Sequence, residues 1–420
     1  MKLIPIPKDR FNEFRTEVLF SACKWDPCVD DTETLSDHVL VLNRSEADHI
    51  INATNEISKE TTCAENFLKS KLGNKRDKKL HDKITRDLRL PKFFKKHISK
   101  IGTYNKDNHV RLMRFDFHPT TEGFKASEVN SDVPAGFGEA GTLNETALKY
   151  IESDLGRKLI APTDFGKSIT HSLLKRVRAG DTIACVHCTS FSDDRQVMQY
   201  LGDRLRQHNI DTIYAAADGL RFDGGNAFSI LSGHEKPVAA IVRAFPIEWM
   251  KDIKHKKFVW HDYLDTTTMS CNHPISIYAQ TKRFPIIWNT LESHGLSFSA
   301  WRDALPHTIC PKNLKRKVDK SEYIIKPAMG RVGEDVAIKG TMPDKKIKQI
   351  EKSAKKNPHY YVAQKKFIST AVNDTDGNPF HVCIGAFSID GQFAGFYGRL
   401  SKSARMGRTA IDIAILIEKE

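Results

Sequence analysis

Four residues on two alternating segments have the types and spacing of a charged chemical site: Arg114 and Asp116 on the first, Glu128 and Asn130 on the second. Arg111-Leu-Met-Arg114-Phe-Asp116-Phe-His118 alternates apolar and polar residues, as does Phe124-Lys-Ala-Ser-Glu128-Val-Asn130 after a turn at Thr120-Thr-Glu-Gly123. The pattern predicts a β-hairpin. Phe115 and Phe117 then face one way and Arg114, Asp116 and His118 the other, while Phe124, Ala126, Glu128 and Asn130 share a face of the second arm. Pairing symmetric about Glu122 sets Asp116 opposite Glu128 and Arg114 opposite Asn130. Two carboxylates across a ladder repel, and a cation between them reverses the sign. Asp, Glu and an Asn carbonyl are hard oxygen ligands of the kind Mg²⁺ takes, completed by waters and substrate phosphates. Arg114 beside them suits an anionic group on a substrate. The alternative is an exposed charged sheet face in which Arg114 only neutralises Asp116, and the hairpin by itself leaves both open.

Further along, Tyr323-Ile-Ile-Lys326-Pro327-Ala-Met-Gly330-Arg331-Val-Gly333 reads as a strand ending in Lys and a small-residue loop, with a return strand towards Ile338. Gly330 and Gly333 let the backbone approach phosphates, and Lys326 and Arg331 supply positive charge. Tyr360 to Gln364 is a further strand, and Val382–Ile389 with Gln392–Arg399 make a hairpin about an Asp390-Gly391 turn, so Arg399 could reach the same site. Thr281-Lys282 opens another helix. Glu248, between Ile247 and Trp249, either lines a pocket and binds an amine or is an acid at a helix N-terminus after Pro246.

The elements that must position these residues fall into four stretches. Residues 1–110 read as mainly helical, with a capping box at Ser45-Glu-Ala-Asp48 and a second helix from Ala64 to Leu72. Residues 111–160 hold the hairpin and a helix. Residues 165–265 alternate strands and helices, implying a parallel α/β layer, and 270–420 carry the glycine loop and closing hairpin. Gly136-x-Gly138-x-x-Gly141 follows a strand too polar for a dinucleotide-binding fold. Gly166-Lys167-Ser168 lacks the glycine that a phosphate loop needs at Ala161, and Cys185-x-x-Cys188 has no second pair at zinc spacing.

At 420 residues the chain exceeds a single simple core, and 40% hydrophobic with 28% charged residues is an ordinary soluble balance. The N-terminus lacks a signal-peptide core, no apolar run spans a bilayer, and eight scattered cysteines suit free thiols in the cytoplasm. Net charge is +13 and the pI about 9.2, with basic runs from Lys69 to Lys100 and Lys345 to Lys356. Asp77, Asp82 and Asp87 interleave the first run and, Phe93 and Phe94 aside, neither carries a single-strand binder's interleaved aromatics, which argues against nucleic acid and for anionic small substrates.

Taken together, Arg114-x-Asp116…Glu128-x-Asn130-x-Asp132-x-Pro134, the Phe-Pro-x-Glu-Trp ending at Trp249, Lys282 with Pro285 and Trp288, Lys326-Pro-x-x-Gly-Arg-x-Gly333, Gln364 and Arg399 occur in the order of the glutathionylspermidine synthase family. The chain resembles this family and related circularly permuted ATP-grasp ligases over about residues 38–415. The resemblance implies an ATP-grasp fold, α+β with a preATP-grasp-like α/β subdomain and a helical N-terminal region. It implies an ADP-forming carboxylate–amine ligase that uses ATP and Mg²⁺ on a small-molecule or peptide carboxylate and an amine. Asp116, Glu128 and Asn130 would hold the metal; Lys282, Lys326, the Gly330–Arg331–Gly333 loop and Gln364 the nucleotide; Arg114 and Arg399 the reacting centre; Glu248 the second substrate. Ala135 departs from the hydroxyl residue of that family, which puts glutathione in question as the substrate, and the amidase half of bifunctional members is expected to be absent. The readings from other classes are a non-catalytic ATP-grasp-like nucleotide or peptide binder and a basic nucleic-acid-binding protein.

Overall fold

The computed structural model describes residues 1–25, 27–29, 31–72, 77–151, 156–252, 260–314, 322–330 and 335–419. Among these a nine-stranded mixed sheet forms the centre, with the main order Lys2–Pro5, Leu35–Leu42, Ile411–Glu418, Gln392–Ser401, Pro379–Ile389, Leu112–Thr120, Gly123–Asn130. Only Leu35–Leu42 against Ile411–Glu418 pairs in parallel within that order. The sheet draws strands from both ends of the chain, and the predicted closing hairpin lies directly beside the predicted first one. Asp390 and Gly391 make its turn with φ of 52° and 88°, as the Asp-Gly pair requires.

One long helix, Arg44–Leu72, covers one face of this sheet where two shorter helices were expected. Ala47, Ile50, Thr54, Ile57, Thr61, Ala64 and Leu68 are all fully buried, a stripe at helical period. The hydroxyls of Thr54 and Thr61 donate to the carbonyls of Ile50 and Ile57 at 2.7 and 2.8 Å, so polar residues continue the stripe without orphaned groups. Its capping box is Asn43 with Glu46, at 2.8 and 2.9 Å, two residues before the predicted one. The glutamate stands three residues after the cap, whereas Ser45 is already inside the helix. On the same face Phe115 meets Trp301 edge-on at 5.6 Å, and Trp301 Nε1 donates to the Thr61 hydroxyl at 2.9 Å.

The predicted parallel layer is present as Met269–Cys271, Ala240–Arg243, Thr182–Val186 and Asp211–Ala215, flanked by the helices Phe165–Leu174 and Ser192–Arg206. A smaller sheet of Thr308–Ile309, Tyr361–Lys365 and Tyr323–Pro327 is covered by the helix Asp344–Lys356 through Ile350 and Ala354. All eight cysteines are free, and burial pushes the Cys185 thiol up to about 12, as for an idle core thiol. No described helix is long and apolar enough to cross a membrane.

Where the hairpin meets the parallel layer, His109 Nδ1 accepts the Ser270 N–H at 3.1 Å, and its ring lies 4.5 Å from that of His273. Only a neutral ring accepts this bond, and burial pushes the His109 pKa from 6.5 down to about 4. The unfolded chain therefore binds the proton more readily, and stability present above pH 6.5 is lost as pH falls towards 4. His273, also pushed down by burial, acts in the same direction. The urea midpoint is expected to fall between pH 7 and 5, and His109→Gln to flatten that fall. An equal fall in the variant removes His109 from the effect.

Candidate active site

The Thr120–Gly123 turn sets the register of the first hairpin, with Thr120 paired to Gly123 and Phe117 to Ala126. Continued unchanged, this register would put Asp116 opposite Ser127. A β-bulge at Ser127 intervenes, and Asp116 pairs with Glu128 and Arg114 with Asn130, the partners expected. The bulge corrects the predicted face: Phe124 and Ala126 pack into the core, whereas Glu128 and Asn130 turn to the Asp116 side. The extra residue inverts the alternation, so an apolar arm and a polar arm fit on one strand.

Asp116 is almost wholly buried and densely bonded. It accepts Arg114 Nε at 2.8 Å and Nη2 at 3.2 Å, Arg399 Nη2 at 2.8 Å and Asn130 Nδ2 at 3.2 Å. Arg114 can lie along the strand because its neighbour is Gly385, where a Cβ would stand 2.8 Å from Arg114 Cδ. Glu128 pairs with Lys282 at 2.9 Å, and Lys282 also donates to the Gly330 carbonyl at 2.6 Å. Lys326 Nζ donates to Gln364 Oε1 at 2.6 Å and to the Ser127 carbonyl at 3.2 Å, while Gln364 Nε2 donates to Thr308 Oγ1.

The electrostatics follow from this packing. Burial favours protonation of Asp116 and Glu128, but the guanidiniums of Arg114 and Arg399 and the ammonium of Lys282 outweigh it and hold both below the usual carboxylate range. Burial brings Lys326 down to about 8 against the pull of Glu128. Four cations thus surround two carboxylates, and two positive charges remain for an anionic ligand. Arg399 Nε is buried with no hydrogen-bond partner among the described residues, a donor left over for such a ligand.

Arg114, Asp116, Glu128, Asn130, Lys326 and Arg399 line one cavity of about 480 Å³. Lys282 and Gln364 line a small pocket that shares Glu128 and Lys326 with it. Gly330 meets the site through its carbonyl, and Arg331 and Gly333 lie outside the described residues. Glu248 is buried and is not among the lining residues; Pro246 and Trp249 on either side of it are. Sequence reasoning missed Tyr397, Ser127, Cys383, Asp193 and Asp194, which also line the cavity. Tyr397, two residues before Arg399 on one strand, was legible by alternation; Asp193 and Asp194 read only as a helix start.

Asp132, in the predicted motif, is instead a structural tie. Its carboxylate receives Arg243 at 2.6 and 3.2 Å, the Ile247 N–H at 2.7 Å and the Ser276 hydroxyl at 2.7 Å. No group of three His, Cys, Asp or Glu that could hold a metal occurs among the described residues. The donor set of Asp116, Glu128 and Asn130 nevertheless fits Mg²⁺, which takes one or two carboxylates when phosphates and waters complete its shell.

Comparison with known proteins bears on the family and the fold. The glutathionylspermidine synthase preATP-grasp family matches residues 15–411. No curated protein sequence gives a significant match. Among solved structures, a glutathione synthetase-like effector (GSS30) from Globodera pallida in its apo form superposes with a TM-score of 0.60 at 12% identity, covering 98% of this chain and 99% of that one. A candidate γ-glutamylcysteine synthetase from Methylobacillus flagellatus KT gives a TM-score of 0.44 at 11% identity over 79% of this chain and 86% of that one. The expected circularly permuted ATP-grasp fold, with its α/β preATP-grasp layer, is the fold observed. With nearly its whole length matched, the chain belongs to the glutathionylspermidine synthase preATP-grasp family.

Proposed function

We propose that the protein is an ATP- and Mg²⁺-dependent ligase that joins a peptide or amino-acid carboxylate to an amine and releases ADP. The observation that carries this reading is Asp116 beside Glu128 in one cavity with Arg114, Arg399, Lys282 and Lys326 around them. Asp116, Glu128 and Asn130 would hold Mg²⁺, which when bound neutralises charge on the nucleotide's phosphates. Lys326 and Lys282 meet the phosphates, Gln364 orients the Lys326 ammonium, and Gly330, Arg331 and Gly333 are assigned to the nucleotide. The donor carboxylate attacks the γ-phosphorus to give an acyl phosphate, and the amine then displaces phosphate to form the amide. Arg114 and Arg399 supply fixed donors where negative charge grows on the transferred group, which costs no reorganisation during the step. Exclusion of water from the cavity protects the acyl phosphate. The stretches 1–110, 111–160, 165–265 and 270–420 are read as a mainly helical N-terminal region that also lends Lys2–Pro5 and Leu35–Leu42 to the central sheet, a metal-binding hairpin and helix, a preATP-grasp-like α/β subdomain and an ATP-binding lobe.

The test is ADP release by the full chain with Mg²⁺ and ATP across pairs of peptides, amino acids and polyamines, with mass spectrometry of the adducts. An amide adduct formed with ADP supports the ligase; ATP-independent binding of nucleic acid with no turnover contradicts it. Lys326→Ala is expected to weaken binding of a non-hydrolysable ATP analogue about 10- to 100-fold by calorimetry, the worth of one charge-assisted hydrogen bond. Unchanged affinity takes Lys326 out of the nucleotide site.

A further inference from the structure

Lys24, with 11% of its side chain exposed, is a cation that the reaction above does not use. It follows the helix Lys8–Ser21, after a turn in which Cys23 takes φ of 53°, and the segment packs where Gly138 leaves no room for a side chain beside the Ala22 carbonyl. Lys24 Nζ lies 2.5 Å from Asp412 and 3.1 Å from Glu139. The other oxygen of Asp412 accepts the Tyr397 hydroxyl at 2.7 Å. The Tyr397 ring, in turn, stands 5.1 Å from the Arg114 guanidinium and 5.2 Å from that of Arg399. Gly136, at φ of 100°, backs the ring: a Cβ there would stand 2.8 Å from Tyr397 Cδ1. Gly136 and Gly138 therefore serve close packing around Tyr397 and the N-terminal segment.

The chemistry of this chain of contacts is directional. Two guanidiniums share one carboxylate, Asp116, and repel each other; an aromatic ring attracts a cation to its face, and here one ring serves both. The hydrogen bond from its hydroxyl to Asp412 fixes the ring, and Lys24 supplies the charge that pairs with both the Asp412 and Glu139 carboxylates. We propose that Lys24, Asp412 and Tyr397 are positioning residues that set the angle at which Arg114 and Arg399 meet the reacting group. The inference rests on the ligase reading and gives the otherwise unassigned N-terminal segment a part in the site. A small misplacement of such donors lowers turnover without weakening nucleotide binding.

The experiment uses the full chain with Lys24→Met, Lys24→Arg, Tyr397→Phe and Tyr397→Leu. Lys24→Met is expected to lower kcat for ADP release about 10-fold and Tyr397→Leu about 100-fold, with KM for ATP held within about threefold, and Lys24→Arg to restore most of the loss. Tyr397→Phe keeps the ring and its volume, so it folds if Tyr397→Leu does not, and it is expected to show the smaller, Lys24→Met-sized loss. Loss of kcat and rise of KM in step with a lower melting temperature, without rescue by Lys24→Arg, overturns the proposal, as does unchanged kcat. A second arm needs no turnover: the Arg114 Nε–H, bonded to Asp116, is expected to exchange faster by ¹⁵N NMR in Lys24→Met and Tyr397→Phe, and an unchanged rate overturns the positioning role. If the wild-type chain releases no ADP with any pair, the ligase reading fails, and the NMR arm still decides this one.

Discussion

Replacing Asp116 by asparagine is expected to lower substrate-dependent ADP release by at least about 10³-fold, the upper range for losing one preorganised electrostatic group. Asparagine keeps the shape but turns an amide N–H₂ towards a guanidinium donor, where the wild-type carboxylate receives both Arg114 and Arg399. The same carboxylate is the centre of the candidate metal donor set. Stability falls too, because the buried Arg114 guanidinium and the half-buried one of Arg399 lose their shared counter-charge, at a cost of about 3 kcal/mol. Activity is therefore compared at a temperature where the variant's melting curve shows it folded. Undiminished turnover in the folded variant removes Asp116 from the site.

The second large effect is structural. Arg243 and Asp132 are both fully excluded from solvent, and this pair ties the end of the first hairpin to the parallel layer. Arg243→Met leaves Asp132 with the Ile247 N–H and Ser276 hydroxyl but no cation, and a buried carboxylate stranded in this way costs about 3–5 kcal/mol. Denaturation by urea measures the cost directly. The double variant with Asp132→Asn is expected to recover part of it, since the charge left behind is gone. A midpoint equal to wild type in Arg243→Met shows that the pair contributes nothing net.

Much of the site was legible because it depends on period and order. Alternation placed Arg114, Asp116 and His118 on one face, the Asp-Gly turn announced the closing hairpin, and Lys326 and Gln364 do lie on neighbouring strands in contact. What was not legible depends on one-residue events and on distant partners. Ser127 carries no mark of a bulge, yet the bulge alone reconciles the tight turn with the Asp116–Glu128 pair. The helix Arg44–Leu72 read as two because Thr54, Ser58 and Thr61 look polar, whereas their hydroxyls are satisfied by the preceding turn or, for Ser58, by Ser388. Asp132 stood in the motif without a role, because its partner Arg243 lies more than a hundred residues away. Lys24 gave no signal at all, since its meaning rests on Asp412 near the other end of the chain.

Transfer of a carboxylate oxygen to the γ-phosphoryl group within this cavity, as proposed, is tested by supplying the carboxylate panel labelled with ¹⁸O, together with Mg²⁺, ATP and the amines, and analysing the phosphate released. One labelled oxygen in inorganic phosphate, formed with ADP and the amide, is the result expected. Unlabelled phosphate accompanying the amide, or AMP in place of ADP, contradicts it.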